Sequence, residues 1–71
     1  MTNEDFGRRI GVGQSMASRI RNGRRLPGVA TMHRIHEELG IPLSDLVVAH
    51  EAGSQEFGRL IRQHLSTPVS V

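Results

Sequence analysis

Residues 6–27 read FGRRIGVGQSMASRIRNGRRLP, and the spacing of small and apolar residues in this stretch decides the fold. Phe6 and Ile10 stand four apart, on one face of a short helix expected from about Asn3 to Ile10. Thr2 is a good residue to cap its start, with Asp5 three positions on. Gly11-Val12-Gly13 interrupts the helix, and Gly11 falls where a terminating residue turns to positive φ, which glycine does at no steric cost. A second helix from about Gln14 to Arg21 turns Met16, Ala17 and Ile20 inward, and Asn22-Gly23 closes it ahead of Pro27.

Outward from this stretch the chain stays helical. After Pro27-Gly28, the residues Val29, Met32, Ile35, His36 and Leu39 recur at helical spacing up to Gly40. Pro42 suits the first turn of a fourth helix, with Leu43, Leu46, Val47 and His50 inward and Gly53 as its stop. Ser54 caps a fifth helix of about Gln55 to Leu65, striped by Phe57, Leu60, Ile61 and Leu65. No segment alternates with period two and no repeat is visible, so the expected fold is all-α, a compact five-helix bundle. It forms one domain over residues 1–65, with 66–71 as a flexible tail.

With 71 residues the core is thin, and chains of this size rarely draw more than about 3–5 kcal/mol from one core. There is no cysteine, which excludes disulfides and thiolate metal sites. No apolar run is long enough to cross a membrane, and the opening MTNEDFGRR is too polar for a signal peptide, so a cytoplasmic location is expected. The net charge is only +2, but its placement is uneven. Arg8, Arg9, Arg19, Arg21, Arg24 and Arg25 fall within residues 8–25, which hold no acid. Residues 26–71 set three arginines against Glu37, Glu38, Asp45, Glu51 and Glu56. A basic segment on a mildly acidic body points to a polyanion, most commonly nucleic acid.

The spacing in 6–27 makes that partner more specific. Two short helices that cross steeply need a small residue where they touch, and Gly7 meets that need. The three-residue turn opens with Gly11, and Ala17 and Ile20 anchor the second helix. These are the physical demands of a helix-turn-helix, with its motif at about 3–22 and its second helix held out to enter a major groove. The chain over roughly residues 3–50 resembles the phage-repressor and Cro type of helix-turn-helix, also called the xenobiotic-response-element family, and the run from Phe6 to Pro27, with GVGQSMASRIRNGRRLP, carries the specific part of the match.

The resemblance implies a lambda-repressor-like domain that binds duplex DNA. Carried over by position, Gly13, Gln14 and Ser15 open the recognition helix, and Ser18 and Arg19 lie one turn on. Gln14 is suited to pair bidentately with adenine and Arg19 with guanine, while Ser15 and Ser18 reach a base or a phosphate. Asn3 matches a phosphate contact at the start of the first motif helix, where free N–H groups also attract an anion, as they do at Gly13. Arg21, Arg24 and Arg25 surround the exit of the recognition helix and are expected on phosphates, with Arg8 and Arg9 on the surface or facing phosphate. The chain departs from the family in four ways. It lacks the usual first helix before the motif and carries an extra C-terminal helix. Gly13 replaces the usual polar cap of the recognition helix, and Gly28 stands where a Ser cap is common.

Other chemistries find little support. Gly11-Val12-Gly13 has neither the third glycine nor the preceding strand of a phosphate-cradling loop. His33, His36 and Glu37 lie within about one helical turn, but without cysteine or a second cluster they make a poor metal site; His36 is expected at the edge of the core and His33 in solvent. No motif places a base beside a serine, and Met16 and Met32 fit core filling, so no enzymatic activity, cofactor or metal is expected. The expected function is that of a phage, prophage or bacterial transcription factor of the Cro/repressor kind, occupying operator DNA. The apolar stripe Phe57, Leu60, Ile61 and Leu65 has two readings, as intramolecular core or as a homodimer face. The competing class is an antitoxin-like protein that autoregulates its operon and binds a protein partner through the C-terminal helix.

Overall fold

The computed structural model describes residues 1–66, all-helical in regular structure: α1 (Asn3–Ile10), α2 (Gln14–Arg21), α3 (Val29–Leu39), α4 (Leu43–Ala52) and α5 (Ser54–Ser66). Thr2 caps α1 by accepting the Asp5 N–H on Oγ1 at 3.1 Å, and Gly11 ends it at φ 79°. The two motif helices meet at Gly7, where a Cβ would lie 2.7 Å from the Val12 carbonyl oxygen and 3.3 Å from the Ala17 Cβ. Real Cβ atoms do not sit that close to backbone, so the expected small residue at the crossing is a steric requirement.

The helices close a ring of contacts in which α1 packs on α2, α2 on α5, α5 on α4, α4 on α3 and α3 on α1. Inside the ring lie Phe6, Ile10, Ala17, Ile20, Met32, Ile35, Ile41, Leu46, Phe57 and Ile61, all buried. Phe57 and Ile61 have no exposed surface at all, which settles part of the double reading of α5: its inner stripe is core. Leu60 and Leu65 are only half-buried against it.

Several expectations need correction. Val29 is 69% exposed, because it is the first residue of α3 and that helix meets the core a turn later, at Met32. Val47 is 39% exposed, since Leu46 takes the core-facing position and the next residue is rotated about 100° around the helix. Met16 is half-buried at the edge of the cluster. Pro42 precedes α4 as its cap, and α5 begins at Ser54 itself. Ser66 belongs to α5, with its Oγ donating to the Arg62 carbonyl at 2.7 Å; the rest of the anticipated tail lies outside the described residues.

Three histidines join elements through carbonyl oxygens. His36 Nδ1 meets Ile41 O at 2.7 Å, His50 Nε2 meets Pro27 O at 3.0 Å and His64 Nε2 meets Leu39 O at 2.7 Å. A carbonyl only accepts, so each of these ring nitrogens carries the proton. His36 and His50 are half-buried and His33 is exposed. His50 also sits edge-on to the Phe57 ring, with 6.0 Å between centroids.

Candidate nucleic-acid interface

Helix α2 has one buried side, formed by Ala17 and Ile20, and this fixes what faces outward. Ser15 and Arg19 lie one turn apart on the opposite side, and Gln14 projects from the first turn; all three are exposed. Ser18 is half-buried, and its Oγ accepts from Asn22 Nδ2 at 3.3 Å. Gly13 caps α2 without any side-chain hydrogen bond, and the first backbone bond into the helix runs from Ala17 N to Gly13 O at 2.9 Å. The N–H groups of the first turn are therefore open to an acceptor.

The exit of α2 is tightly wound. Gly23, at φ 75°, donates its N–H to Ile20 O at 3.2 Å, and Arg24 N donates to Arg19 O at 2.8 Å. This paired closure needs the left-handed backbone that glycine supplies, and it carries Arg24 and Arg25 off the end of α2 into solvent.

The nine arginines divide by what their side chains hold. Arg8 pairs with Glu4 at 3.0 Å and Asp5 at 3.9 Å, and Arg59 with Glu56 at 3.9 Å. Arg34 donates to the Arg9 carbonyl at 3.0 Å, and Arg62 to the Arg21 carbonyl at 2.7 Å. Arg21 spends Nη1 on the Met1 carbonyl at 2.7 Å and on Asn3 Oδ1 at 3.4 Å. Arg9, Arg19, Arg24 and Arg25 are exposed with no protein partner among the described residues. Three of these four lie on α2 or at its exit, so uncommitted positive charge gathers where the sequence places the contact.

Two expected phosphate contacts look different in this geometry. Asn3 gives its side-chain oxygen to Arg21, and Glu4 and Asp5 put negative charge in the same first turn of α1. Arg21 is half-buried and joins the start of α1 to the end of α2. The sequence reading also missed Arg34, Arg62 and Gly58, which hold the frame. Partners 25 and 41 residues away leave no local signature for the two arginines. Gly58 did leave one: glycine inside a helix costs about 1 kcal/mol against alanine and asks for a packing reason.

Among the described residues no cluster of three potential metal ligands occurs, and no helix is long and apolar enough to cross a membrane. A helix-turn-helix family model matches residues 1–46, which span α1 to α3 and the start of α4. No curated protein and no solved structure matches the chain. The chain belongs to the helix-turn-helix family, and it is a five-helix DNA-binding domain of the kind found in transcriptional regulators.

Proposed function

We propose that the protein is a sequence-specific regulator of the Cro/repressor kind, of phage, prophage or bacterial origin, acting in the cytoplasm by occupying operator DNA. The observation that carries this reading is the coincidence on α2 of an exposed polar face with unpaired positive charge at its exit. Gln14, Ser15 and Arg19 read bases, with Ser18 beside them in a supporting contact. Arg24, Arg25 and the open N–H groups after Gly13 hold phosphates. Arg9 joins them, while Arg21 and Asn3 contribute through the donors that their mutual contact leaves free. The resemblance of GVGQSMASRIRNGRRLP to the xenobiotic-response-element type supports the same assignment.

The domain acts as a homodimer through its C-terminal helix. Support comes from a groove between α4 and α5 lined by Val48, Ala49, Ala52 and Leu60, with Asp45 and Arg59 also on its wall. Val48 is 68% exposed there. A two-fold axis would bring the same apolar strip of both copies together, burying Val48 against its counterpart.

Selection from a random pool of duplex DNA, followed by sequencing, tests the reading. The expected result is an enriched site with two symmetric halves. Arg19→Ala and Gln14→Ala should each relax the preference at one base position by about 1–3 kcal/mol. An enriched site without symmetry rejects the dimer and leaves the groove to a different protein, as the antitoxin-like reading has it. A folded protein that enriches nothing rejects base reading altogether.

A further inference from the structure

Base recognition demands that the reading helix be held at a fixed angle, and part of the hold on α2 comes from α5, beyond the matched region 1–46. Helix α5 lies against the exit of α2 backbone to backbone. A Cβ on Gly58 would fall 2.5 Å from the Gly23 Cα and N, and 3.1 Å from the Ile20 carbonyl oxygen. From the other side, a Cβ on Gly23 would fall 3.1 Å from the Gln55 Cα. Neither glycine has room for a side chain, so the two segments touch as closely as peptide backbones can.

One turn along α5, Arg62 reaches over and donates Nη1 to the Arg21 carbonyl at 2.7 Å. That carbonyl belongs to the last residue of α2, where carbonyl oxygens lack helical partners and a cation is favoured. Arg21 in turn holds the Met1 carbonyl with its own guanidinium. The end of α2 is thereby clasped between the start of α1 and the middle of α5.

We propose that Arg62 is a positioning residue for base recognition, fixing the exit of α2 on α5 so that Gln14, Ser15 and Arg19 meet the bases in one register. The inference rests on α2 being the base-reading helix. Arg62 touches no base in this role, and its bond is internal to the protein. Loosening it blurs discrimination between sequences and spares the phosphate contacts of Arg24 and Arg25, which tolerate small rotations.

The test compares the unmutated protein with Arg62→Gln and Arg62→Lys. Each is titrated across a salt series on the duplex that the unmutated protein enriches and on a scrambled duplex of equal length, with circular dichroism to follow the fold. Arg62→Gln is expected to keep its helix content, its salt slope and its affinity for the scrambled duplex, and to lose about three- to tenfold on the enriched one. Arg62→Lys, still a cationic donor, should recover part of that loss. An unchanged ratio between the two duplexes overturns the proposal, including the case in which only the melting temperature falls. Equal weakening on both duplexes, with a salt slope flatter by about one, also overturns it, because Arg62 is then a phosphate contact. Gly58→Ala, where folded, should lower the same ratio. Arg62→Gln is the deciding variant, because that side chain is exposed and removable without touching the core. If the unmutated protein enriches no site, the base-reading assignment falls first and the positioning role falls with it.

Discussion

Gly7 and Gly13 show how much a single missing Cβ means in this chain. At Gly7 the crossing of α1 and α2 leaves no space, and Gly7→Ala must push against the Val12 carbonyl. A loss of about 1–3 kcal/mol in chemical denaturation is the expected outcome. Gly13 and Gly28 are the opposite case. Each caps a helix with extended backbone, at φ −69° and −76°, and a Cβ at either would meet nothing within 4 Å. Gly28→Ser adds a capping hydroxyl and removes freedom from the unfolded chain, so it should raise stability by about 0.5 kcal/mol. A shift of the urea midpoint at constant slope would show it. The glycines differ because only some positions demand the absence of a side chain.

At the scale of elements, α5 carries the clearest consequence. Phe57 is wholly buried, and truncating such a ring costs about 3–5 kcal/mol, as much as a core of this size supplies. Phe57→Ala should therefore lose its helical circular dichroism near room temperature, and it is unusable as a probe of dimerisation. Val48 is the better probe. Val48→Glu should keep the fold while sedimentation shows weaker self-association, because that side chain stands in the groove and outside the core.

The helices themselves were legible in the sequence because their signals are local. Helical spacing, Gly11, Gly40 and the Thr2 cap each act within about one turn, and α1 and α2 fall where those signals place them. The side of α2 that faces outward was legible too, since Ala17 and Ile20 fix it. The exposure of Val29 and Val47 and the burial of Ile41 were not, because they depend on where a neighbouring helix begins to touch. The clasp on α2 was hidden for the same reason: its members are near in space and distant in sequence.

Across the whole molecule, the gross count of arginines overstates the charge available to a polyanion. Among the described residues five of the nine are engaged by carboxylates or carbonyl oxygens, Arg21 through Nη1 alone, and Arg9, Arg19, Arg24 and Arg25 have no side-chain partner. With three or four phosphates neutralised per domain, log K should fall with log[salt] at a slope of about −3. A slope near −1 would remove phosphate neutralisation by Arg9, Arg24 and Arg25 as the source of affinity.

The ring of helices also bears on how this protein comes into being. The backbone that seats Gly23 is supplied by Gly58, and the carbonyl at Arg21 waits for Arg62, 41 residues downstream. A chain emerging from the ribosome can form the α1–α2 hairpin early, since that contact is local. It cannot hold the hairpin in its final pose until α5 has been synthesised and has swung back to shut the ring. Closure of the ring around α2 therefore comes only after α1 to α4 have been made.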